Sequence, residues 1–184
     1  MTFASNQLLE DLKAKTSELI QFAEKHFAGL STEKLNKRLA PEAWSIAECL
    51  EHLNLYAEYY HDTMSKKMED SSHGTYPTFR SGIIGNYFTN LMQVKNGKLT
   101  KMSSPKDKNP IHSNIPEGIV ERFINRQKEM LQLLDRAQKA NLTKVRIPIT
   151  IYPWLKLKLG DTFRFSVAHN ERHVLQAMEV LNED

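Results

Sequence analysis

The sequence predicts an all-α protein: a four-helix bundle with one long crossover between its second and third helices. Three observations carry this. Four long stretches repeat their apolar side chains at the 3.6-residue period of a helix. Only 7 glycines and 7 prolines occur in 184 residues, too few for a β fold that must turn every few residues. The link between the second and third stretches, roughly 70–115, is long enough to cross the whole bundle and leave those two helices parallel.

The first helix is expected from about Ser5 to Ala28, with Leu8, Leu12, Leu19, Ala23 and Phe27 as its stripe and Gly29 as its break. The second begins at "WSIAECLEHL". Ser45 is its N-cap, and Glu48 three residues on completes a capping box, in which hydroxyl and carboxylate each take the other residue's main-chain N–H. Ile46, Leu50, Leu53, Ala57, Tyr60, Met64 and Met68 then share one face. Inside the crossover, "SGIIGNYFTNLMQ" is apolar enough for a short extra helix. The third helix starts near Pro116, whose missing N–H does no harm in a first turn. It carries Val120, Phe123, Ile124, Met130, Leu131 and Leu134. The next link, "VRIPITIYPWLKLKLG", resembles a strand in composition, but Pro148 and Pro153 favour an extended cover over the bundle. The fourth helix is expected from Asp161 or Thr162, after Gly160, with Phe163, Val167, Val174, Ala177 and Leu181 inward. There is no internal repeat, and residues 1–184 read as a single domain with one core.

Composition narrows the partners. With 40% hydrophobic and 26% charged residues the chain is of the soluble, globular type. A net charge of +3 demands neither nucleic acid nor membrane. "KNGKLTKMSSPKDK" holds Lys95, Lys98, Lys101, Lys106 and Lys108, yet no arginine and no aromatic to stack a base, so it reads as a solvated loop. No nucleic-acid partner is expected. No run of eighteen apolar residues is present, so no membrane span is expected either. The opening "MTFASNQLLEDLK" lacks the basic-then-apolar order of a secretion signal. The single cysteine, Cys49, precludes an internal disulfide and suits a reducing compartment. A cytoplasmic location is expected.

The chemistry sits in "VAHNERHVLQ", where His169 and His173 are four apart. That spacing alone is weak; its position says more. At about 100° per residue His173 lies about 40° from His169, while the apolar arc of the fourth helix runs roughly 80–160° from it. The pair therefore borders the core on a polar seam shared with Thr162, Ser166 and Gln176. His52 holds the same relation to the apolar arc of the second helix, with Glu48, Tyr56 and Tyr59 on its side. Helices packed by their apolar arcs bring such seams together. Two imidazoles from one turn and one from a neighbour make a three-nitrogen set for a divalent ion, with positions left open as in catalytic sites. Zinc and nickel suit such ligands first, then iron or manganese. Ordinary imidazoles protonate near pH 6.5, so affinity is expected to fall between about pH 7 and 5. Cys49 reads as a small buried hydrophobe, and His26, His61, His73 and His112 are not expected to be ligands.

Taken together, Trp44, Ser45, Glu48, His52 and Leu53, followed far downstream by His169, His173 and Gln176, resemble the DinB/YfiT-like superfamily. The resemblance implies an up-down-down-up four-helix bundle, commonly a homodimer, whose three histidines hold a divalent metal. Relatives of that kind include bacillithiol-dependent thiol S-transferases and mycothiol-dependent isomerases. The expectation is a metal-dependent enzyme of thiol-transferase or hydrolase type, acting on a small molecule such as a low-molecular-weight thiol. The alternative is a non-catalytic module that binds metal or a small ligand. Glu48, Tyr56 and Gln176 are the candidates for orienting ligands or substrate.

Overall fold

The computed structural model describes residues 1–94 and 104–183. They are mostly helical, joined by two short antiparallel strand pairs. In chain order the elements are β1 (Thr2–Ala4), α1 (Ser5–His26), α2 (Thr32–Asn36), α3 (Ile46–Glu69), β2 (Thr78–Arg80) and α4 (Ile83–Met92). A single 3-10 turn (Lys106–Lys108) precedes α5 (Ile119–Ala137), β3 (Arg146–Pro148), β4 (Lys156–Lys158) and α6 (Leu159–Asn182). The four predicted helices are α1, α3, α5 and α6, and they pack as a ring: α1 on α5, α5 on α3, α3 on α6, α6 on α1. The extra helix expected in the crossover is α4, which lies on α6. Lys95, Lys98 and Lys101 of the lysine-rich stretch lie outside the described residues. No helix among the described residues is long and apolar enough to cross a membrane.

The fold is mostly helical as expected, with two small strand pairs besides, and three finer expectations are corrected. β1 pairs with β2 (Phe3 opposite Phe79), and β3 pairs with β4 (Ile147 opposite Leu157). The second pair replaces the extended cover read from the prolines, because Pro148 stands at the end of its strand, where a missing N–H is tolerated. The fourth helix begins at Leu159 and includes Gly160 instead of following it. A Cβ on Gly160 would stand 2.8 Å from the ring of Phe79, so the glycine permits β2 to press on the helix start. The third helix begins at Ile119, three residues beyond Pro116, behind Gly118 in the left-handed region (φ 77°).

The core falls into two apolar clusters. One gathers Leu8, Tyr60, Met64, Leu134 and Phe163, the other Leu19, Leu50, Phe123, Val174 and Ala177. Fully burying a side chain of this kind contributes about 1.5–3 kcal/mol. Between the clusters runs a layer of buried polar residues: Thr16 on α1, His52 and Asn54 on α3, Gln127 on α5, His169, Asn170 and His173 on α6. The two seams read from the sequence thus meet in a polar layer crossing the core, deeper than the margin that helical periodicity indicates.

Candidate metal centre

α3 supplies His52 and α6 supplies His169 and His173. The start of α3 is set by the predicted capping box: Ser45 Oγ accepts from Glu48 N–H (3.2 Å), and Glu48 Oε2 accepts from Ser45 N–H (2.8 Å). This fixes His52 at the second turn. The three rings are 2%, 4% and 8% exposed, and each offers a nitrogen within 4.8 Å of the others. No other group of three or more potential ligands is gathered in this way among the described residues. Trp44 lies 4.7 Å from the His52 ring and 5.5 Å from His173, Tyr56 lies 4.6 Å from His169, and Phe165 stacks on His169 at 5.5 Å.

Hydrogen bonds decide which nitrogens face inward. His52 Nδ1–H donates to the main-chain carbonyl of Lys108 (2.6 Å), which can only accept, so Nε2 carries the lone pair. His173 Nδ1–H donates to Gln176 Oε1 (2.9 Å), with the same result. His52 Nε2 and His169 Nε2 stand 3.1 Å apart. Two nitrogens sharing an ion at 2.0–2.1 Å are about 2.8–3.4 Å apart for angles between octahedral and tetrahedral. The donor set and its spacing therefore fit a divalent metal: the inward lone pair of His52 Nε2 takes either a proton from His169 Nε2–H or a cation shared with that ring.

The electrostatics agree. Burial lowers the His52 imidazole to about 4, against the opposing pull of the Lys108 carbonyl. His173 falls to about 3, chiefly by burial and then by His52. His169 is held well below its ordinary value by burial, with His173 and His52 adding to it. All three are neutral at pH 7, as ligation needs. Folding therefore shifts proton competition for these rings below the range of free imidazole.

The remaining candidates divide. Gln176 touches His173, and Tyr56 packs on both His52 and His169. Glu48 faces elsewhere. Its Oε1 accepts from Arg38 (2.5 Å) and His112 N–H (2.6 Å), and its Oε2 accepts from Arg38 (3.0 Å) as well as Ser45. Burial pushes the Glu48 carboxyl up, but these donors outweigh it and hold the group below its ordinary value. Cys49 is buried, and burial raises its thiol. His61 is buried and outside the histidine cluster, with Nδ1 on Glu129 (3.1 Å). Sequence reasoning missed Lys108, whose carbonyl accepts from His52 and whose charge adds to the lowering of that imidazole, and Arg38. The Trp44 indole walls the site and donates to Asn109 (3.0 Å). A main-chain carbonyl 56 residues away leaves no trace in composition.

Fold and site together define a helical protein with a buried three-histidine centre suited to a divalent metal. A family model described as the DinB superfamily matches residues 16–177, and the chain belongs to that superfamily. No curated protein and no solved structure matches it.

Proposed function

We propose that His52, His169 and His173 hold one divalent metal, zinc or nickel in preference to iron or manganese, and that the chain is a metal-dependent enzyme of thiol-transferase or hydrolase type. The observation that carries this is the buried cluster of imidazoles, neutral at pH 7, with lone pairs on His52 and His173 directed inward. A bound divalent ion would lower the pKa of a water or thiol and supply a nucleophile near neutral pH. The chain's own part is positional. Lys108 and Gln176 orient two of the rings, Glu48 braces the loop at His112, and Trp44, Tyr56 and Phe165 exclude water. The ring of packed helix pairs supports the up-down-down-up four-helix reading and a single domain over 1–184. A homodimer and a cytoplasmic location belong to the same reading; Ile83 (93% exposed) and Tyr87 (61%) on α4 offer apolar surface for a second copy.

The test is elemental analysis of untagged protein reloaded with zinc or nickel, followed by assays with small thiols and electrophiles. About one ion per chain with turnover supports the enzyme; no retained ion at neutral pH overturns the centre. The depth of the three rings favours one alternative, a module that binds metal or a small ligand without reaction. Saturable binding without product would identify it.

A further inference from the structure

His169 lacks what its two neighbours have. His52 and His173 each place Nδ1–H on a carbonyl oxygen, whereas no hydrogen bond reaches His169 Nδ1 among the described residues. Metal-bound imidazoles almost always donate this second N–H to a carboxylate, a carbonyl or a water, which fixes the ring and raises its basicity. The same ring helps to line a small cavity between α3, α5 and α6, together with Tyr56, Tyr60, His61, Ser166 and Asn170. Its volume is about 10 Å³, room for one water. Two more of its lining residues have an unmatched polar atom. Ser166 Oγ is buried without a partner. His61 spends Nδ1–H on Glu129, which leaves a lone pair on Nε2 with no partner among the described residues.

A water needs two to four polar partners to be held inside a protein, and the lining residues His169, His61 and Ser166 offer three. The directions also match. With His169 Nε2 turned to a metal, Nδ1–H donates to the water, and the water donates to His61 Nε2 and to Ser166 Oγ. Building on the metal reading above, we propose that one buried water in this cavity joins His169 to Ser166 and His61. Ser166 and His61 are thereby positioning residues for the third ligand, with Glu129 behind His61. The chain Glu129–His61–water–His169 gives that ligand the support that Lys108 and Gln176 give the other two.

Ser166→Val and Ser166→Thr are the paired test, since the two side chains share a shape and differ by a hydroxyl. Zinc affinity is measured by chelator competition, with His61→Phe as a second route to the same water. Losing such a partner costs about 10–100-fold in metal affinity. Ser166→Val and His61→Phe are expected to weaken zinc by that factor, and Ser166→Thr to remain near wild type. In zinc-loaded protein the ring N–H resonance of His169 should persist in Ser166→Thr and exchange away in Ser166→Val, a change that a packing role would not cause. Wild-type affinity in both Ser166→Val and His61→Phe overturns the proposal. If the wild-type protein takes up no zinc, the metal reading fails by itself, and a crystal structure of the metal-free protein decides the water. Density in contact with Ser166 Oγ and His169 Nδ1 supports it, and a dry cavity overturns it.

Discussion

Lowering the pH of the metal-free protein should unfold it well above the usual acid range. The native state holds His52 near 4, His173 near 3 and His169 well below its ordinary value, because burial disfavours the imidazolium. In the unfolded chain each returns to about 6.5. Above that pH all three are neutral in both states and contribute no pH dependence. As pH falls below it the unfolded chain takes up protons that the native state refuses, so stability declines from about pH 6.5 down to the native values. At pH 5 His52 and His173 cost about 2 kcal/mol each, about 4 kcal/mol together, and His169 adds in the same direction. That is a large part of the 5–15 kcal/mol typical of a domain. His61, also lowered chiefly by burial, acts in the same direction. The assay is urea unfolding in chelator at several pH values between 7.5 and 5. A loss below about 2 kcal/mol, one histidine's share, would refute the claim that folding keeps the cluster neutral. With a fixed free zinc concentration the curve should rise by mass action. That increment should stay constant from pH 7 to 5 and shrink only toward pH 4, because the native rings remain available. An increment that fades between pH 7 and 5 would mean that the folded site titrates like exposed histidine.

Three further outcomes are expected. His52→Ala, His169→Ala and His173→Ala should each fail to retain zinc through gel filtration, with a helical spectrum near wild type at pH 7.5, and His52→Ala and His173→Ala should each soften the acid unfolding just described by about 2 kcal/mol at pH 5, with His169→Ala acting in the same direction; any variant that keeps full affinity removes that residue from the ligand set. Gln176→Ala should free the His173 ring and weaken zinc about 10–100-fold in chelator competition, whereas unchanged affinity would show that the 2.9 Å contact does not orient the ligand. Gly160→Ala should lower stability by roughly 1–3 kcal/mol, since its Cβ would stand 2.8 Å from the fully buried Phe79 ring; an unmoved urea midpoint would show that the ring yields.

The four long helices and the histidine trio were legible because both depend on local periodicity. Leu50, Leu53, Ala57, Tyr60 and Met64 return every turn, and the Ser45–Glu48 box marks where α3 starts. The angle of His52, His169 and His173 beside the apolar arcs was readable for the same reason. The strand pairs were not. β1 and β2 are three residues each and join Phe3 to Phe79 across three intervening helices, so no local alternation announces them. Nor was the depth of the site legible. A helical wheel counts apolar residues, but the first half of α6 is buried on nearly all sides, since α4 and, before it, Ser81 and Gly82 cover the face that carries Asp161 and Arg164. Those polar groups are buried because they are paired: Asp161 accepts from Ser81 Oγ and Gly82 N–H, and Arg164 donates to Ser81 and Asn86. The residue types able to bind a metal, and the helices that carry them, were thus determined by the sequence alone. Which nitrogen of each ring faces inward, and that the rings stay neutral at pH 7, was decided by tertiary structure, because a distant carbonyl, a neighbouring amide and the loss of water set the protonation of an imidazole.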